Sequence, residues 1–293
     1  MTWLVWRQHR GEVLVSALVL AALGLLLLLH GLPMHEAYQQ AGVESCQQRL
    51  GTDEACVEVV VGFENQYGYL PEQFVAWVPL LPMLAGMLIG APLLAREYEQ
   101  GTWQLVWTQG VTRARWLTAK LALVLGTVLA VSVAFAAGVS WWVGPLSADQ
   151  FTHGKFNHAV LVFPAYVLGA VAIGVLAGAV VKRTIVAAAI TVGGYLLVRI
   201  PVEFLLRPRF REPVTTDDLA EANTGWIVGD QIGGGSGDLI QYHPSDRFWQ
   251  FQLIETAILL GITVVILAVA WRLVLGRKSP ASGSHREPAP ISA

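Results

Sequence analysis

Charge is what this chain has least of. Asp, Glu, Lys and Arg make up 14% of its 293 residues, against roughly 25% in an ordinary soluble domain. The net charge of −2 gives no basic excess to attract a nucleic acid, and no nucleic-acid partner is expected. There is no Gly-x-x-x-x-Gly-Lys-Ser/Thr phosphate loop, which excludes ATP binding in the usual form. The glycine-rich run from Gly229 to Asp238 lacks the lysine and reads as a flexible loop. No His-Glu-x-x-His zinc motif occurs, the seven histidines are scattered, and no paired set suits an intramembrane protease. We therefore expect no catalytic residue, metal or cofactor in this chain. Cysteine is nearly absent: Cys46 and Cys56 stand ten positions apart in one polar segment. They are two free thiols or, if that segment lies outside the cell, a disulfide.

What is abundant is apolar. The hydrophobic fraction is 54% and the mean hydropathy +0.53. These residues gather into runs of about 17–27, the length that crosses a bilayer core of about 30 Å at 1.5 Å per residue. Six spans are read: 13–29, 74–95, 117–143, 159–181, 185–200 and 249–275. The first competes with a signal peptide, but it is long for one and no Ala-x-Ala site follows, so an uncleaved anchor is expected. Before it, Trp3, Leu4, Trp6, Arg7 and Arg10 suit either a short interfacial helix or a plain positive flank. The second span holds Pro79, Pro82 and Pro92 and should be kinked or broken. The third ends on Trp141 and Trp142, expected at an interface. In the fourth, Gly174 and Gly178 form a small-xxx-small pair suited to close helix packing. Two polar loops, 31–73 and 201–248, separate spans on one side, and the alternation Val57-Glu58-Val59-Val60-Val61 suggests a short strand in the first. Residues 1–278 read as a single six-span domain, and the composition of 279–293 predicts a disordered tail.

Six spans place both termini on one face. That face carries 12 basic and 4 acidic residues, the other 7 basic and 17 acidic. The basic face is assigned to the cytoplasm. Cys46 and Cys56 then lie outside, where a disulfide closing so small a loop would add about 2–3 kcal/mol.

Polar residues within spans are the first functional candidates, because charge in the bilayer is costly. Glu255 lies six residues past Trp249, and Arg199 lies near the outer end of the fifth span with Glu203 four positions on. We expect Arg199 to pair with Glu255 or Glu203 as a gating or pathway element, the plain alternative being residues that snorkel to water. The second candidate is the polar, aromatic-rich island from Arg96 to Lys120, between two long apolar runs. It is expected to lie along the membrane surface as a short amphipathic helix.

The island motif Glu97-x-Glu99-x-Gly101-Thr102, with Thr108 and Arg113-x-x-Trp116-x-x-x-Lys120, resembles the first cytoplasmic loop of type-two ATP-binding-cassette exporter permeases. It looks especially like the stand-alone permeases common in actinobacteria. Trp3-x-x-Trp6-Arg7-x-x-Arg10 and Pro244-x-x-Arg247-Phe248-Trp249-x-Phe251-Gln252-x-Ile254-Glu255 resemble the same group, so the likeness spans most of the chain. It implies an all-α plasma-membrane protein, bacterial in type, with a cytoplasmic coupling helix between spans two and three. Glu97, Glu99, Gly101, Thr102, Gln104 and Arg113 would contact an ATPase on another polypeptide, which holds the ATP and magnesium. Two permease subunits per complex are also implied. One departure stands out: such permeases often have a short helical hairpin before the last span, where this chain has a loop of about 48 residues rich in Gly, Asp and Arg. The alternative reading is an accessory or ligand-sensing membrane protein without transport activity.

Overall fold

The computed structural model describes residues 2–47, 49, 53–101, 112–146, 151, 153–222, 225–231 and 239–276. Six helices are long and apolar enough to cross a membrane: Leu20–Gln40, Tyr69–Glu99, Arg113–Leu146, Val162–Val181, Thr184–Arg209 and Ser245–Leu275. The protein is an all-α, multi-pass integral membrane protein.

The fourth span is its centre. Within its apolar window 72% of residues are buried, against 17–28% in the other five. The second, third, fifth and sixth spans pack around it. Against the second span the approach is backbone to backbone. A Cβ on Gly90 would stand 2.4 Å from the Val171 carbonyl oxygen, and one on Gly174 would stand 2.5 Å from that of Gly86. Gly174 thus packs on Gly86 and Gly90, and Gly178 on Ala91 and Ala95, and dispersion between the two backbones replaces side-chain packing. Only the fourth-span pair was expected from the sequence.

The second span is broken as its prolines require. Helical pieces Tyr69–Trp77, Leu81–Ala85 and Ala91–Glu99 are joined by a 3-10 turn at Val78–Leu80 and a π turn at Gly86–Gly90. Pro79, Pro82 and Pro92 each sit at the first or second position of a new piece, where a missing N–H breaks no bond. The fifth span behaves likewise. Its α-helix ends at Ile200, Pro201 opens a π turn through Leu206, and a 3-10 turn follows over Arg207–Arg209. The span is therefore nine residues longer than its apolar run, and Arg207 belongs to it rather than to a loop.

At its other end the chain departs from the sequence reading in two places. One continuous helix runs from Thr2 to Gln40, so no separate interfacial helix precedes the first span and no loop begins at 31. The expected strand at Val57–Val61 is helix instead, within Glu54–Tyr67. Asp53 caps it, its carboxylate accepting from the Ala55 amide at 3.1 Å. Cys56, Val60 and Phe63 then fall on one buried stripe, packed with Leu27, Met34, Val43 and Val139. Cys46 and Cys56 are joined as a disulfide, with Cα atoms 4.7 Å apart. Trp142, at the end of the third span, is fully buried within the protein, donating its indole N–H to His30 Nδ1 at 3.0 Å. Trp141 stacks on His35 at 4.7 Å. The extended first helix is thereby fastened to the end of the third span.

The segment after the fifth span carries a small antiparallel sheet in the order β1–β3–β2, with β1 Val214–Thr216, β2 Trp226–Gln231 and β3 Leu239–His243. Val214 faces Tyr242 and Trp226 faces His243. His243 Nε2 meets the Pro208 carbonyl at 3.1 Å, and its ring packs on Phe251 at 4.8 Å, which seats the sheet on the fifth and sixth spans.

Candidate functional site

The end of the bundle that carries the disulfide also holds its most polar interior. Glu255 on the sixth span has no exposed surface, and Arg207 has 3%. A charge taken that far from water survives only when paired and fully hydrogen-bonded. Arg207 supplies both: Nε donates to Oε2 and Nη2 to Oε1 of Glu255, each at 2.7 Å, a two-pronged contact. Tyr166 on the fourth span adds a hydroxyl to Oε1 at 2.8 Å.

The network continues outward. Arg207 Nη2 donates to Asn157 Oδ1 at 3.0 Å, and Asn157 Nδ2 donates to Glu203 Oε1 at 3.0 Å. Glu203 in turn pairs with Arg199 Nη2 at 3.0 Å. Arg199 Nη1 donates to the Tyr195 hydroxyl at 3.3 Å, and that hydroxyl donates to the Pro79 carbonyl at 2.9 Å. Both guanidinium groups also lie over aromatic rings, Arg199 over Tyr166 at 4.5 Å and Arg207 over Phe156 at 4.1 Å. Gln252, fully buried, accepts from the Val162 amide at 3.3 Å and donates to the Phe156 carbonyl at 3.0 Å. Two arginines and two glutamates thus form a neutral set that ties together the second, fourth, fifth and sixth spans and the short helix His153–His158.

Of the two partners expected for Arg199, the structure brings it Glu203. Glu255 is held by Arg207 instead. Sequence reading passed over Arg207 because its apolar run ends at Ile200, although 199, 203 and 207 form a four-residue ladder that a continued helix would align. Asn157, Tyr166, Tyr195 and Gln252 were also missed. Tyr166 and Gln252 carried a signal, being hydrogen-bonding groups inside apolar spans.

The island residues lie at the opposite end of the bundle. Glu97 pairs with Lys120 at the start of the third span, and Lys120 also stands over Trp116 at 5.3 Å. Glu99 accepts from the Thr184 hydroxyl at 2.5 Å, at the start of the fifth span. Gly101 takes a left-handed φ of 67°, which ends the second span. Thr112 caps the third span by accepting from the Arg115 amide at 3.3 Å, which places Arg113 in its first turn. Thr102, Gln104 and the amphipathic helix expected around them lie outside the described residues. The glutamates are therefore anchored within the chain, each to a different span.

Beside the network, a cavity of about 750 Å³ opens between the second span and the helices 54–67 and 153–158. Partial burial, and then the neighbouring Glu72 charge, push the Glu64 carboxyl above its ordinary range, while Lys155 opposes the shift. Among the described residues, no three His, Cys, Asp or Glu are gathered to hold a metal ion.

No curated protein matches this sequence, and no solved structure matches it. A protein-family model does: that of ABC-2 membrane transporter related proteins, over residues 17–207, about two thirds of the chain and five of its six spans. By that match the chain belongs to the ABC-2 membrane transporter related family.

Proposed function

We propose that this chain is the transmembrane subunit of an ATP-driven exporter in a bacterial plasma membrane, moving a drug, antibiotic, peptide or lipid outward by alternating access. The observation that supports it most is the family match over residues 17–207, which includes the island between the second and third spans. ATP and magnesium belong to a separate ATPase subunit, and this chain carries no catalytic group. Two permease subunits, identical or different, form the complex. The island end faces the cytoplasm, as the distribution of basic residues requires.

The geometry suits force transmission. Thr102, Gln104 and Arg113 meet the ATPase. Glu97 and Glu99 act as pins, because Lys120 and Thr184 join the island's flank to the third and fifth spans. Displacing the island then moves three spans together. At the other end the Arg199–Glu203–Arg207–Glu255 set acts as the outer closure, since opening a path there must rearrange contacts among four spans.

The test is whether an ATP-binding-cassette ATPase is encoded beside this gene and, where it is, reconstitution of the chain with that ATPase. ATP-dependent outward movement of a substrate, and ATPase activity that depends on this chain, are the expected results. If that ATPase neither co-purifies with the chain nor changes its turnover in its presence, the exporter reading falls and a ligand-sensing role takes its place.

A further inference from the structure

We infer that the cavity at the disulfide end is a binding site for an organic cation with an apolar body. Its volume of about 750 Å³ lies within the range of drug-sized ligand sites. Its wall is divided by chemistry. Val75 and Ala76 of the second span face Val143 and Leu146 of the third, giving an apolar side. Glu64 and Glu72 stand at the exposed rim, and neither forms an ion pair among the described residues. Glu203 reaches the same space from within the network, its side chain 11% exposed. Glu203 is already balanced by the arginines of the network, so the lining's own charges are the two rim carboxylates against one ammonium, that of Lys155, which donates to the Gly144 carbonyl at 3.3 Å. The acidic excess favours a cation, and the apolar wall favours one whose charge is carried on a hydrophobic frame rather than a hydrated inorganic ion.

The position of Glu203 gives such a ligand a consequence. This carboxylate is held by Arg199 at 3.0 Å but by Arg207 only at 3.7 Å. A cation entering from the cavity competes with the arginines for it and weakens the link from the fifth span to Asn157. Occupancy of the cavity thus bears on the closure of the bundle. Identification of the occupant as an export substrate rests on the exporter reading; the binding itself does not.

The experiment uses the purified full chain in lipid nanodiscs, without an ATPase. The probes are radiolabelled tetraphenylphosphonium and tetraphenylborate, ions of one size and shape and opposite charge, with empty nanodiscs as background. The expected result is saturable binding of the phosphonium and none of the borate. The double substitution Glu64→Gln with Glu72→Gln should weaken phosphonium binding about tenfold, because each rim charge contributes up to about one ion pair's worth of attraction. Ala76→Trp should abolish binding by filling the apolar side, and Glu58→Gln, on the exposed face of helix 54–67, should leave it unchanged. Equal binding of both ions, or unaltered phosphonium binding in both the charge-neutralised and the filled variants, overturns the inference even if the complex transports other substrates. Selective binding without any ATP-driven movement leaves the site standing and removes the exporter reading.

Discussion

Arg207 and Glu255, 48 positions apart in sequence, meet through two hydrogen bonds of 2.7 Å with almost no exposure to water. Neither residue has another ion of opposite sign as close. Removing one partner strands a buried charge, which costs about 3–5 kcal/mol. Arg207→Gln and Glu255→Gln should each lower the melting temperature of the detergent-solubilised protein, and the double variant should recover part of the loss. A double-mutant cycle should give a larger coupling for this pair than for Arg199 with Glu255. Equal couplings would show that the network acts as one undivided unit.

The pins at the island end separate anchoring from docking. Glu97→Lys should uncouple the ATPase, since it places two cations together at Lys120. Exchanging the charges, with Glu97→Lys and Lys120→Glu, should restore most of the coupled ATPase activity. A doubly exchanged complex that assembles but stays uncoupled would mean that Glu97 touches the ATPase directly.

The glycine seam should tolerate no side chain. Gly90→Ala and Gly174→Ala must push two backbones apart, because the new Cβ lies within 2.5 Å of a carbonyl oxygen in each case. A loss of about 1–3 kcal/mol is expected for either. Gly126→Ala on the third span meets nothing within 4 Å and should be neutral or slightly stabilising. Thermal unfolding of the three variants provides the comparison, and three equal melting temperatures would place the seam elsewhere.

His243 makes the small sheet sensitive to acid. Burial, aided by Arg247, pulls its imidazole below the ordinary value of 6.5. A lowered histidine means that the folded form binds fewer protons than the open one, so its stability is intact above about pH 6.5 and declines as pH falls. Hydrogen exchange over Val214–Thr216 and Leu239–His243, corrected for intrinsic rates, should quicken below that value by up to about tenfold per pH unit. His243→Gln should remove the added acid response. If it does not, another group controls the opening.

Much of this molecule is decided within short stretches. The length and apolarity of six runs specify six spans, because a bilayer core accepts little else. Pro79, Pro82 and Pro92 specify a broken second span, and Gly174 and Gly178 specify a tight contact, since these residues act through their own backbones. The polar island stands out for the same local reason. What the sequence alone could not determine is where charges meet across elements. Arg207 looked like part of a loop because a helix that continues past Pro201 is held there by contacts with Asn157 and Glu255, residues 50 and 48 positions away. Val57–Val61 alternates like a strand, yet it is helical, because the Asp53 cap, the bridge from Cys46 to Cys56 and the stripe facing Leu27 and Val139 outweigh a weak local preference. Local residue chemistry determined which segments enter the membrane. Only tertiary packing decided which partner each buried charge found, because an ion in a low-dielectric interior is governed by its nearest neighbour in space rather than in sequence.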